Sequence, residues 1–176
     1  MRGYFAIGVE RISKQLNLGN LMRSAHAFGA AHVFTIGSPL NAEETLADTS
    51  RSQGHVPLYQ FKSADELVLP VGCRLVGVEL IEGAIDLPSF RHPLHAAYVL
   101  GPERGSVSDA LLARCNHVIK IPTAFCINVA MAGAIVMYDR VRTLGSFPPR
   151  PEHAGGPIAV PVRQTHGPAR SRTGKT

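Results

Sequence analysis

The side chains with chemical capacity fall where the apolar segments of the chain break. Asn17 opens the run Asn17-Leu18-Gly19-Asn20, and Arg23 follows at the start of a helical segment. A guanidinium there can clamp a phosphate through paired N–H donors, whereas a free arginine is far too basic to abstract a proton easily. The bland expectation for the same Arg is a solvated or carboxylate-paired helix residue, and for Asn17 a turn or cap. Glu103 stands in the turn Gly101-Pro102-Glu103, where a solvated carboxylate is expected from the residues alone. Asn128 opens a long segment with one apolar face, the position of a helix N-cap. Cys126 lies just before it, but no histidine is placed by spacing to activate the thiol, so thiol catalysis is not expected. Cys73 and Cys115 read as buried free thiols. Three cysteines without CxxC or Cys/His spacing suggest neither a disulfide framework nor a zinc site.

The elements that must position these residues centre on the segment from Ala96 to Asp139. Ala96 to Leu100 is an apolar run short enough for a buried parallel strand, and it stops at Gly101-Pro102. A short helix from Asp109 to Arg114 follows, with Ser106 or Ser108 available as its cap. The β-rich run His117 to Ile121 stops at Pro122, which cannot donate to a ladder. Asn128 to Leu144 then reads as one helix with Val129, Ala132, Gly133, Val136 and Met137 on one face. Upstream, the pattern gives a strand Tyr4 to Val9, a polar loop from Glu10, a helix Leu18 to Gly29, and a strand His32 to Ile36. A short strand Pro57 to Phe61, a capped helix Ser63 to Leu69 and a strand Arg74 to Leu80 follow. Between them Asn41 to Gly54 is polar, with a short helix near Glu43 to Leu46. This alternation predicts an α/β fold with a mostly parallel sheet and helices on both faces. Strands ending side by side in Gly/Pro turns leave backbone N–H and C=O groups in a crevice at the carboxyl edge, where such proteins bind small ligands.

Charge and composition divide the chain unevenly. The net charge is +5, and the segment from Phe147 onward holds five basic residues (Arg150, Arg163, Arg170, Arg172, Lys175) against Glu152. That tail is rich in Pro and Gly with no periodic apolar face, so residues 1–146 read as the folded domain and 147–176 as a disordered basic tail. A mobile basic tail can add salt-dependent affinity for a polyanion, and a merely solubilising terminus is equally consistent with it. No segment approaches a membrane span and the N-terminal apolar run is too short for a signal peptide, so a cytoplasmic location is expected.

The stretches Asn17 to Ala30 (NLGNLMRSAHAFGA), LGPERG at Leu100 to Gly105, and IPTAFCINVAMAGAIVMYD at Ile121 to Asp139 resemble the three motifs of the SPOUT class of RNA methyltransferases. The branch they resemble is the TrmH/SpoU family of ribose 2′-O-methyltransferases. They occur in the family's order and at about its separations, over residues 3 to 145. The resemblance implies S-adenosylmethionine as cofactor, an RNA substrate, and a homodimer packing its first and last helices, for which the small-residue face Ala130, Gly133, Ala134 is suited. It also implies a C-terminal deep trefoil knot, where general topology rules alone would predict an unknotted sheet. Residue by residue, it places cofactor contacts at Val78, Gly101, Ile121 and Cys126. It makes Arg23 the catalytic residue that activates the 2′-hydroxyl, Asn17 the residue that orients substrate or that Arg, Glu103 the organiser of the Arg and the RNA-facing loop, and Asn128 a bridge between ribose and backbone. Physically, the guanidinium suits stabilising a developing alkoxide. With no extension before Tyr4 the chain reads as a minimal catalytic domain, which in the family favours tRNA over ribosomal RNA.

The chain departs from the family in carrying Cys126-Ile127-Asn128-Val129-Ala130 where Ser-Leu-Asn-Val-Ser is common, and in a shorter loop between Pro122 and Cys126. A thiol is a weak replacement for a hydroxyl that positions a ligand. These departures keep a SPOUT base methyltransferase and an inactive RNA-binding homologue as alternatives. A Rossmann-type enzyme would need a Gly-x-Gly turn after the first strand, which is absent, as is a P-loop.

Overall fold

A computed structural model of the chain describes residues 3–40, 55–151 and 154–156. The chain divides into two units at Gly145–Ser146, and the strands and helices below all belong to the first. Seven strands form one sheet in the order β3-β2-β1-β6-β4-β7-β5. They are β1 (Tyr4–Glu10), β2 (His32–Ile36), β3 (Leu58–Phe61), β4 (Arg74–Val78), β5 (Ile85–Asp86), β6 (His95–Leu100) and β7 (His117–Lys120). Every pairing is parallel. All carboxyl ends therefore lie along one edge.

The alternation of side chains along β1 explains how the sheet is covered. Phe5, Ile7 and Val9 face one layer, where helices α1 (Gln15–Phe28) and α3 (Val129–Leu144) bury Leu18, Leu21, Val136 and Met137 against them. Ala6 faces the other layer with Phe34, Leu75, Ala97 and Val99, covered by Leu67 and by Leu111 of the short helix α2 (Asp109–Leu112). Gly8 is on that second face because a Cβ there would lie 2.3 Å from the Phe34 ring. The two layers match the expectation of helices on both faces, although α2 is only one turn.

Local signals account for most boundaries. Gly29 ends α1 in the left-handed region at φ 75°, donating its N–H to Ala25 and His26 carbonyls. Ser108 caps α2, accepting from Leu111 N–H. Gly133 lets α3 approach α1: a Cβ there would stand 2.4 Å from Leu21 Cδ1 and 3.2 Å from Ile7 Cδ1. Ala130 and Gly133 are thus buried within the chain, which corrects their assignment to a dimer face. The exposed apolar stripe of α3 is instead Met131, Ile135 and Tyr138.

Other expectations need revision. Ser63 to Leu69 holds a turn closed by Leu67 N–H to Ala64 C=O, not a helix. Its apolar residues Ala64 and Leu67 are buried against the sheet, so packing replaces helical hydrogen bonding there. Helix α1 begins at Gln15, ahead of the expected Leu18, and β4 stops at Val78, two residues short of Leu80. The two-residue strand β5 was not expected. The helix placed near Glu43 to Leu46 lies outside the described residues. Cys73 and Cys115 are half-buried, and burial pushes the Cys115 thiol up to about 11.

At the amino edge of the sheet a buried polar cluster pins the end of α3. Arg140, 2% exposed, donates to the carbonyls of Leu94 (2.7 Å), Pro93 and Tyr4, and to Tyr98 Oη (3.1 Å). His92 bridges Tyr98 Oη at 2.6 Å and Asp139 Oδ2 at 3.0 Å. The guanidinium also lies over the Phe5 ring, 5.2 Å from its centroid. Burial holds the His92 imidazole below its ordinary value despite the Asp139 carboxylate, and raises the Tyr98 phenol to about 12.

Candidate active site

The carboxyl ends of β4, β6 and β7, with Lys14 and Asn17 from the segment after β1, open into a cavity of about 310 Å³. Each wall follows from where a strand breaks. Val78 and Glu79 stand at the end of β4, Leu100 and Gly101 at the end of β6, and Ile121 just after β7; Cys126 to Val129 lead into α3. Val78, Gly101, Ile121 and Cys126 all line it, as do Asn17, Glu103 and Asn128. Apolar strand ends make one side and amides with carboxylates the other.

Three polar residues from distant segments form one hydrogen-bonded chain. Asn128 Nδ2 donates to Asn17 Oδ1 at 3.0 Å, and Asn17 Nδ2 donates to Glu103 Oε1 at 3.0 Å. Asn128 Oδ1 also caps α3, accepting from the N–H groups of Ala130 (2.9 Å) and Met131 (3.3 Å). The expected capping is therefore present, and the amide nitrogen of the same side chain is engaged by Asn17. Asn17 is buried, with both ends of its amide engaged.

Glu103 carries four donors. Besides Asn17, its oxygens accept from Ser13 N–H (3.1 Å), Ser13 Oγ (3.2 Å) and Lys14 N–H (3.0 Å). Burial alone would raise its carboxyl. Its own backbone N–H together with Asn17, Ser13 and Lys14 outweighs burial and holds the group below the ordinary carboxylate range. The carboxylate thus ties the loop after β1 to the turn after β6. Among the described residues it makes no hydrogen bond to Arg23.

Arg23 is placed differently from its expected partners. It is exposed on α1, six residues beyond Asn17, and does not line the cavity. Six residues of helix carry it about 9 Å along the axis away from the sheet edge. It shares its exposed helix face with Leu16 and Asn20.

Two further carboxylates were not expected. Glu79 Oε2 accepts Val107 N–H at 2.7 Å, and Glu10 accepts both Ser108 N–H (2.7 Å) and Ser108 Oγ (2.6 Å). Together they hold the 101–108 loop over the ends of β4 and β1. Gly101 belongs to the same closure, because a Cβ there would sit 2.9 Å from Val107 N. The signal was an acid directly after an apolar strand run, in Val9-Glu10 and Val78-Glu79. Cys126 is exposed on the rim, and Phe125 beside it is 75% exposed, its carbonyl accepting Thr123 Oγ1 at 2.9 Å.

A parallel sheet whose strand ends open on one cavity with apolar and polar walls defines an α/β fold with a ligand-sized site, and comparison with known proteins narrows it. Residues 4–138 match the model of the SpoU rRNA methylase family, and the chain belongs to that family. It is 30% identical over 156 residues to the mouse tRNA (guanosine(18)-2′-O)-methyltransferase TARBP1, an alignment that covers 78% of this chain and 9% of TARBP1. The chain thus spans a small part of that relative. The SpoU methyltransferase AviRb of Streptomyces viridochromogenes in complex with AdoMet superposes with a TM-score of 0.71 at 22% identity, covering 79% of this chain and 57% of AviRb. A structure described as giving insight into 2-OH methylation of C/U34 on tRNA superposes with a TM-score of 0.70 at 23% identity, over 82% of this chain and 98% of that one. Among the described residues no helix is long and apolar enough to cross a membrane, and no cluster of His, Cys, Asp and Glu could hold a metal ion.

Proposed function

We propose that the chain transfers a methyl group from S-adenosylmethionine to a ribose 2′-hydroxyl of RNA, with tRNA favoured over ribosomal RNA. The observation that carries this reading is the chain Glu103–Asn17–Asn128, which joins three motif segments around one cavity at the carboxyl edge. The cavity fits the cofactor in size and chemistry, since about 310 Å³ falls within the range of small-ligand pockets. Its apolar side (Val78, Leu100, Ile121) suits the adenosyl part, and backbone groups at Gly101 and Cys126 suit its polar atoms. When bound there, the cofactor supplies an electrophilic sulfonium methyl. The relative named for guanosine 2′-O-methylation of tRNA, and the neighbour described for tRNA 2-OH methylation, support ribose and tRNA.

The protein's own contribution is positioning. Asn17 and Glu103 hold the loop after β1 against the turn after β6, and Asn128 fixes the start of α3 beside them. A guanidinium near the ribose oxygen would lower the cost of its developing charge, and Arg23 is assigned that task. In its own subunit Arg23 faces outward, so the reading requires a homodimer in which Arg23 of the partner subunit reaches the cavity. The outward apolar residues Leu16, Met131 and Tyr138, each more than half exposed, support such a contact between α1 and α3 faces. A trefoil knot formed by the segment from Ala96 to Leu144 belongs to the same proposal, and the crossing order β6-β4-β7 supports it.

The test uses tritiated methyl donor with total tRNA and ribosomal RNA from cells lacking the protein, followed by mapping of the labelled nucleotide. Label should enter tRNA, be lost in Arg23→Ala, and leave the cofactor affinity of that variant unchanged by calorimetry. In a one-to-one mixture of Arg23→Ala with Gly101→Val subunits, re-assembly should restore about a quarter of full activity, because half the dimers would carry one intact site. No recovery in re-assembled heterodimers would end the shared-site reading.

A further inference from the structure

Beside the cofactor cavity lies a second cleft of about 300 Å³, lined by Arg11, Ser13, Lys14, Pro102, Glu103 and Arg104. The two share Lys14, Pro102 and Glu103 as a common wall. We propose that Arg11, Lys14 and Arg104 form a clamp for an RNA phosphodiester next to the methylated ribose. The proposal rests on the functional reading above and deepens it.

Electrostatics favour an anion there. Three cationic side chains and one carboxylate line the cleft, for a local balance of +2. Glu103 keeps its charge, already counted in that balance, and its oxygens are occupied by four hydrogen bonds from Ser13, Lys14 and Asn17, so among the described residues it forms no ion pair with the three cations. Glu10, the other nearby acid, lies outside the cleft lining, accepts two hydrogen bonds from Ser108 and makes a long ion pair with Arg11 Nη2 at 4.0 Å. Among the described residues neither Lys14 nor Arg104 has a side-chain hydrogen bond or ion pair. Cations on a concave surface with no ion-pair partner, here Lys14 and Arg104, bind phosphate oxygens through charge-assisted hydrogen bonds.

The backbone points the same way. Arg11 has φ 51°, a left-handed conformation that non-glycine residues seldom adopt and that concentrates at functional sites. Its N–H donates to Ile36 C=O at 2.7 Å and its Nη2 to Ser106 C=O at 2.9 Å, so the guanidinium is tied to the loop after β6. That bond leaves donors of the Arg11 fork for a ligand, and its side chain is 54% exposed. A ribose at the shared wall carries phosphodiesters on both sides. The one on the Lys14 side meets all three cations.

The test measures binding of fluorescein-labelled total tRNA to the full-length protein by anisotropy as KCl is varied, alongside calorimetry with S-adenosylmethionine. Arg104→Gln should weaken tRNA binding roughly tenfold at low salt, as expected for one charge-assisted contact. It should also lower the slope of log affinity against log salt by about 0.7 to 0.9. Lys14→Gln combined with Arg104→Gln should roughly double that loss of slope. Arg74→Gln removes one charge at the opposite, amino edge of the sheet and should leave both quantities unchanged. Cofactor affinity of Arg104→Gln should match the wild type. If the cleft variants keep wild-type affinity and slope while RNA is still methylated, the clamp is refuted and the methyl transfer stands. Loss of affinity with no change of slope also refutes it, because the contact would not be to phosphate. A wild-type protein that neither binds tRNA nor transfers methyl overturns both.

Discussion

Replacing Asn17 by Asp changes one atom type in the middle of the Glu103–Asn17–Asn128 chain and tests whether that chain holds the cavity together. The donor Nδ2, 3.0 Å from Glu103 Oε1, becomes a second carboxylate oxygen, while the acceptor toward Asn128 remains. Losing the hydrogen bond costs about 1 kcal/mol and leaves a Glu103 oxygen facing an acceptor. Two like charges about 4 Å apart add about 4 kcal/mol at an effective dielectric of 20. Halving the repulsion for the half-exposed position of Glu103 leaves a total of about 3 kcal/mol at neutral pH. The carboxyl introduced by Asn17→Asp would have a folded-state pKa raised by Glu103. Its penalty is therefore full above that value and is relieved as pH falls through it, when one shared proton restores an O–H···O bond. Asn17→Ala loses both bonds, about 2 kcal/mol, with no group to titrate. Urea unfolding of the wild type and both variants between about pH 8 and pH 5 reads the difference. Calorimetry with S-adenosylmethionine should show the same recovery for Asn17→Asp alone. The reasoning is refuted if Asn17→Asp matches the wild type at neutral pH, or if the two variants keep a constant difference across the pH range.

Three other outcomes follow from the packing and the polar cluster. Gly8→Ala would push a methyl into the fully buried Phe34 ring and should cost about 2 kcal/mol, with the Tm several degrees lower in a calorimetric scan; Phe34→Leu in the same chain should recover part of it. Burial depresses His92 below 6.5, so its contribution is complete above that pH and is lost as pH falls toward the folded-state value. Unfolding midpoints should fall between about pH 7 and pH 5 by an amount that His92→Asn abolishes. Arg140→Met should lower stability by about 3 kcal/mol or more, since it removes the buried guanidinium that donates to the carbonyls of Leu94, Pro93 and Tyr4; a stability equal to wild type would show that the cluster is dispensable.

Strand and helix order was legible because each apolar run ends in a residue that cannot continue it. Gly29 ends α1, Gly101 follows β6 and Pro122 follows β7. The segment from Ser63 to Leu69 misled for a physical reason: its acids suit a helix start, but Ala64 and Leu67 are drawn into the core as a turn. The cavity residues Val78, Gly101, Ile121 and Cys126 were legible only through the family resemblance, since strand ends and turns carry no signature of their own ligand. Glu10 and Glu79 were missed because a carboxylate's partners here are backbone N–H groups nearly thirty and nearly one hundred residues away. The cluster of His92, Tyr98, Asp139 and Arg140 was missed for the same reason, because it joins the amino edge of the sheet to the far end of α3. Cys126 and the shortened loop at Pro122 leave the cavity open and lined, so the departures from the common motif have not closed the site.

The central claim is that the methyl group goes to a ribose oxygen at this cavity, and alkaline hydrolysis of enzymatically labelled tRNA tests it most directly. A 2′-O-methyl blocks attack by the neighbouring hydroxyl, so tritium should be retained in alkali-resistant dinucleotides and disappear when Gly101→Val forces the 101–108 loop off the ends of the strands. Label released wholly in mononucleotides would place the methyl on a base and contradict the account.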